Sequence, residues 1–159
     1  RHCTEDSFDM VTADGAYDVK HSTLEADHFS LLVAQTRLAL HSLAPGGCLV
    51  IKMFEGARLE TLKWLACLTH CFDQVSIIKP TASRPTNSER YVVCRGYAKG
   101  TTLEVVANVT VSPDWISSVR AVMDTFARNQ IVSLRAAVAR AHAAQPADAH
   151  PPPHSKMGV

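Results

Sequence analysis

Pro45-Gly46-Gly47-Cys48-Leu49-Val50-Ile51-Lys52-Met53-Phe54 is the stretch that decides the fold. Proline followed by two glycines ends a helix. The residues after it are apolar except for one lysine, and Gly56 closes the run. Such a segment reads as a buried strand of a parallel sheet. Upstream, residues 22–43 carry Phe29, Leu32, Val33, Leu38, Leu40 and Leu43 at mostly helical spacing, and Ser22 with Glu25 matches a capping box. Before that helix, residues 8–13 form a β-prone run that stops at the turn signal Asp14-Gly15. Downstream, residues 57–71 place Leu59, Leu62, Leu65 and Leu68 along one helical side. Residues 72–78 form a third strand. Residues 79–88, with Pro80 and Pro85, form a loop, and residues 89–97 a fourth strand.

Strand, helix, strand, helix, strand, loop, strand is the order of a three-layer α/β sheet with parallel strands. The last connection is too short for a crossover helix, so the fourth strand is expected to run antiparallel. Beyond Gly100 the β-branched residues 103–111 suggest another strand. Ser112-Pro113-Asp114 is a good helix start. Over residues 114–143, Val119, Val122, Met123 and Phe126 form an apolar stripe that Ile131, Leu134 and Val138 continue. The spacing leaves open whether Asn129 divides this segment into two helices. The stripe predicts packing on the sheet or on a protein partner. From Gln145 the chain is rich in Pro, Ala and His, the composition of a disordered tail. The expected organisation is therefore residues 1–100, an extension over 101–144, and a tail over 145–159.

The composition is globular, at 47% hydrophobic and 19% charged. A formal net charge of +1 gives no bulk attraction for nucleic acid, so any such contact must be local. Five scattered cysteines fit a reducing compartment better than a disulfide framework. Cys67, His70 and Cys71 share a helix, and small buried thiols explain them better than a metal site. No metal is expected. No apolar run approaches the roughly 18 residues of a membrane span. The N-terminus has no signal-peptide pattern and no Met, so the chain is expected to begin inside a longer protein, in the nucleus or cytoplasm.

Four pieces, in order, carry a family resemblance: Asp9-Met-Val-Thr-Ala-Asp-Gly-Ala16, Pro45 to Phe54, Lys79-Pro80 with Ser83-Arg84, and Asn87-Ser-Glu-Arg-Tyr-Val-Val-Cys94. Together they resemble the FtsJ-like (RrmJ-type) ribose 2′-O-methyltransferases over residues 8–97. Ala13-Asp14-Gly15-Ala16-Tyr17-Asp18 looks more like the cap-specific eukaryotic members, and most like the cap methyltransferase 2 group. The resemblance implies the C-terminal half of a Rossmann-like methyltransferase sheet, its last strand pair antiparallel, followed by C-terminal helices. It implies S-adenosylmethionine as cofactor and RNA as substrate, capped mRNA favoured. The runner-up readings are a ribosomal- or transfer-RNA 2′-O-methyltransferase and an inactive structural subunit of an RNA–protein complex.

Within that resemblance, Asp14, Lys52 and Glu89 match the Asp, second Lys and Glu of the family's Lys-Asp-Lys-Glu tetrad. The first Lys and the glycine-rich cofactor loop are expected before Arg1, so the 159 residues alone are expected to be inactive. A ribose 2′-hydroxyl needs a base or a site that favours alkoxide character. Lys52 takes that role, oriented by Glu89 and positioned by Asp14. Asp14, Gly15 and Ala16 line the cofactor. Lys79, Arg84 and Arg90 are candidates for RNA phosphates. Topology gives separate support. Ligands collect at the carboxyl ends of parallel strands. Asp14 follows one such end, Lys52 approaches another, and the start of an antiparallel strand brings Glu89 to the same edge. Trp64 and Trp115 are expected to pack in the core, and Tyr17 is a possible stacking platform for a base. Asp18 and His21 read as ordinary polar loop residues.

Overall fold

The computed structural model describes residues 8–17, 24–98, 100, 103 and 110–144. Its elements are β1 (Phe8–Ala13), α1 (Leu24–Ser42), β2 (Leu43–Phe54), α2 (Leu59–Cys71), β3 (Phe72–Ile78), β4 (Glu89–Tyr97) and α3 (Pro113–Ala143). The sheet runs β1-β2-β4-β3. β1 and β2 are parallel, and β4 lies antiparallel to both β2 and β3. The antiparallel fourth strand of the sequence reading is therefore present. Its insertion between β2 and β3 is what the sequence did not reveal.

Strand alternation sorts the sheet into two faces. Leu49, Ile51 and Met53 of β2 share one face with Val92 and Cys94 of β4, and all five are buried. Both α1 and α2 cover this face. They meet where Trp64 Nε1 donates to Thr36 Oγ1 at 3.1 Å. Trp64 is thus a core residue whose polar atom is satisfied, and Trp115 packs against the same core. Cys67, Cys71 and Cys94 lie inside as well, and burial pushes the thiols of Cys71 and Cys94 up to about 11 and about 12. On the opposite face, Cys48, Val50, Lys52, Tyr91 and Val93 are only half-buried. Among the described residues the helices thus form one layer against that core face, not a layer on each side.

Several expectations are corrected. Pro45-Gly46-Gly47 does not separate helix from strand. α1 already ends at Ser42, and β2 starts at Leu43 with an irregularity where Phe8 pairs Leu43 and Met10 pairs Cys48. Ser22 lies outside the described residues, and Glu25 caps a different helix. Its carboxylate accepts from the backbone N–H groups of Arg58 at 2.9 Å and Ala57 at 3.3 Å, at the start of α2. Arg58, the N-cap residue, makes no side-chain cap itself. Of the strand expected over 103–111, only Leu103, Thr110 and Val111 are described: Leu103 is helical and buried, and the other two are not in a strand.

Ser112 caps α3 by accepting from the Trp115 N–H, with Pro113 in the first turn. The helix continues unbroken past Asn129. Val119, Met123 and Phe126 pack against the core, while Val122, Ile131, Leu134 and Val138 of the expected stripe are exposed. Leu134 comes eleven residues after the buried Met123, only about 20° from it at 3.6 residues per turn, so rotation along the helix does not account for its exposure.

Candidate active site

β1, β2 and β4 bring their ends to one edge. Ala13 pairs with Ile51, Lys52 with Tyr91, and Phe54 with Glu89. From this register Lys52 Nζ reaches Asp14 Oδ1 at 2.9 Å, and the Tyr91 hydroxyl donates to the same oxygen at 3.1 Å. The Lys52 side chain is 10% exposed and that of Asp14 69%, so the lysine stem runs under the sheet edge and its ammonium ends at an open carboxylate. The hydrogen bond from Lys52 holds the Asp14 carboxyl below the ordinary Asp range, against a smaller opposing effect of burial. Burial first, then the hydrogen bond to Asp14 and the charge of Glu89, push the Tyr91 phenol up to about 12. Tyr91 therefore remains a proton donor at any physiological pH.

The segment after Asp14 is tied to α1. Gln35 Oε1 accepts from the Gly15 N–H at 3.0 Å, and a side chain at Gly15 would start 2.9 Å from that oxygen. His28 Nε2 accepts from the Tyr17 N–H at 2.8 Å, and the His28 ring lies 4.9 Å from that of Phe54. Tyr17 itself is exposed. At the end of β2, Glu55 and Gly56 both take positive φ. Gly56 has no room for a side chain, because Met53 and Met123 methyls would lie 2.7 and 2.8 Å from its Cβ. A left-handed pair of this kind is costly away from glycine and turns the chain sharply beside the site.

Glu89 lies on the same face as Tyr91, one pleat repeat away. Its Oε1 accepts from Ser83 Oγ at 2.8 Å. The loop over residues 79–88 is built around Lys79. That ammonium donates to Glu89 O at 2.8 Å, Asn87 O at 3.0 Å and Ser83 Oγ at 3.2 Å, and also to Asn87 Oδ1. An ammonium has three protons, so these acceptors occupy it fully. Burial lowers its pKa, opposed by the charge of Glu89. Lys79 therefore stands inside the loop, tying it to the Glu89 backbone, and not outward toward a phosphate.

Arg90 departs further from the surface position expected of an RNA contact. It is 4% exposed. Its Nη1 donates to the Glu55 carbonyl and to Met123 Sδ, and its guanidinium lies 5.0 Å from the centre of the Phe126 ring. Arg90 fastens α3 to the turn after β2. Of the three basic candidates, Arg84 alone is exposed. Tyr91 was missed at the sequence level, although its place two residues beyond Glu89 on a strand puts both on one face.

A family model described as FtsJ-like methyltransferase matches residues 1–97. The chain belongs to the FtsJ-like methyltransferase family. It is 40% identical over 88 residues to a cap-specific mRNA (nucleoside-2′-O-)-methyltransferase of Autographa californica nuclear polyhedrosis virus, covering 54% of this chain and 34% of the relative. It is 40% identical over 94 residues to the Danio rerio cap-specific mRNA (nucleoside-2′-O-)-methyltransferase 1, covering 58% and 11%. A Homo sapiens tRNA (cytidine(32)/guanosine(34)-2′-O)-methyltransferase is 40% identical over 91 residues, covering 56% and 27%. The chain thus spans about a third or less of these relatives. The solved structure titled Alphavirus P23pro-zbd shares the fold at a TM-score of 0.54 and 20% identity, covering 70% of this chain and 20% of that one. FtsJ-like methyltransferases are generally S-adenosylmethionine-dependent. Among the described residues no cluster suited to a metal ion is present, and no helix is long and apolar enough to cross a membrane.

Proposed function

We propose that this chain supplies the methyl-acceptor side of a ribose 2′-O-methyltransferase active site, acting on RNA near the 5′ cap of mRNA in the nucleus or cytoplasm. The observation that carries the reading is the Lys52–Asp14 ion pair at the joined ends of β1 and β2, with Glu89 at the adjoining start of β4. Asp14, paired with Lys52, is exposed, and so is Ala16 two residues on. They fit the methyl-bearing end of S-adenosylmethionine, whereas the Gly15 N–H is already held by Gln35. The cofactor, when bound, supplies an electrophilic methyl group on a sulfonium.

The chain's own residues act on the acceptor. Lys52 offers its head group to the 2′-oxygen as that oxygen gains alkoxide character. Asp14 and the cross-strand Tyr91 fix where that head group points. Glu89, held by Ser83 and by the Lys79-tied loop, sits on the same face to orient the lysine and the incoming ribose. Arg84, exposed on that loop, contacts a phosphate of the same strand in this reading.

The test uses the full-length parent, labelled S-adenosylmethionine, and RNAs with an unmethylated-ribose cap, a cap methylated only at its first ribose, or no cap, beside a transfer RNA. Label is expected in a ribose-methylated dinucleotide from a capped RNA. The Lys52→Ala variant is expected to lose it by at least about 10²-fold, the usual worth of one donor aimed at a developing negative oxygen. Equal turnover by Lys52→Ala overturns the proposal. The tRNA relative makes label in transfer RNA alone the result that reassigns the substrate.

A further inference from the structure

The outer face of α3 lies beyond the family match and takes no part in the site described above. Past Phe126, the residues facing the body are Gln130 and Ser133, and Gln130 Nε2 donates to Thr86 O at 3.1 Å. An apolar row adjoins them along the helix. After Ala127, half-buried beside Glu55 and Met123, the row runs Ile131, Leu134, Val138 and Ala141, spaced by four, three, four and three residues, the a/d spacing of a coiled-coil seam. Ile131, Leu134 and Val138 are 47, 42 and 54% exposed, so burial against the body does not account for them.

The charges beside the seam are of one sign. Arg128, Arg135 and His142 recur every seven residues along one flank, all exposed, and no acidic residue follows Asp124 in the helix. In heptad terms they occupy the flanking positions that select a partner by charge. The same stretch of a second copy brings the same arginine flank and no acid to meet it. A nucleic-acid strand suits the arginines but leaves three exposed aliphatic side chains along the centre of the contact with nothing to bury them. We propose that the outer face of α3 docks an amphipathic helix of a protein partner, its seam apolar and its flanks acidic. This proposal does not depend on the methyltransferase reading.

The test measures binding of the full chain to two fluorescent three-heptad peptides by anisotropy. Both carry Leu and Ile at a and d; one has Glu and the other Lys at its flanking positions. The Glu peptide is expected to bind at least about ten-fold tighter than the Lys peptide, and more weakly as salt rises. Ile131→Glu and Leu134→Glu should each abolish binding while leaving the circular-dichroism spectrum intact. Reversing the flank with Arg128→Glu and Arg135→Glu together should switch preference to the Lys peptide. Equal affinity for the two peptides, or indifference to the seam variants, overturns the proposal. So does self-association that Ile131→Glu dissolves, which gives the face to a second copy. RNA binding lost in the flank-reversed variant and kept in the seam variants gives it to nucleic acid.

Discussion

Lys52, Asp14 and Tyr91 show how one register fixes a site. Lys52 and Tyr91 are direct cross-strand partners, so a slip of one residue would send one of them to the opposite face. The phenol donates to the oxygen that also holds Lys52, which sets the carboxylate rotamer from two directions. A tyrosine in the unfolded chain ionises near pH 10, and Tyr91 in the folded one at about 12. Its raised value therefore favours the folded state fully below pH 10, and that contribution fades as pH rises from 10 to about 12. Phenolate absorbance at 295 nm should show one late-titrating tyrosine that Tyr91→Phe removes. The shift of Asp14 is in the opposite direction, so its contribution is present at neutral pH and lost only in acid, below the ordinary Asp value.

At the scale of elements, two long-range ties replace local signals. The Glu25 carboxylate supplies the missing cap at the start of α2 from a helix more than thirty residues away. Glu25→Ala leaves two backbone N–H groups without that acceptor and should cost about 1–2 kcal/mol, read as a lower urea midpoint with an unchanged slope. α3 makes the second case. Phe126 packs on the core beneath Arg90, whereas Leu134 is 42% exposed. Phe126→Ser should destabilise by about 2–3 kcal/mol, and Leu134→Ser should stay within about 0.5. Equal effects in thermal unfolding would mean that both turns pack on the body.

Across the whole molecule, β1 is one of the two outer strands of the described sheet, with Phe8 and Met10 exposed on it. A strand edge bearing apolar side chains is a template for further pairing. Met10, 55% exposed, is the position to test. Met10→Lys should reduce concentration-dependent association in light scattering without lowering thermal stability. No reduction would mean that this edge is covered in the intact protein.

The strand and helix segments were legible because their hydrophobic periods are strong and their breaks carry turn residues. β1, β3 and β4 begin and end where the sequence places them, and α1, β2 and α2 differ only near their ends. The edge that gathers Asp14, Lys52 and Glu89 was legible too, because the ends of parallel strands and the start of an antiparallel one must coincide. Tertiary structure alone decided the rest. Nothing local says that β4 inserts between β2 and β3, since strand order follows from which faces find cover. Nothing local separates Arg90, buried under α3, from Arg84, exposed in the loop, because the guanidinium's partners are a carbonyl thirty-five residues upstream and a sulfur thirty-three downstream. The exposure of Ile131, Leu134 and Val138 was decided by where the body lies against the helix, not by the hydrophobic pattern.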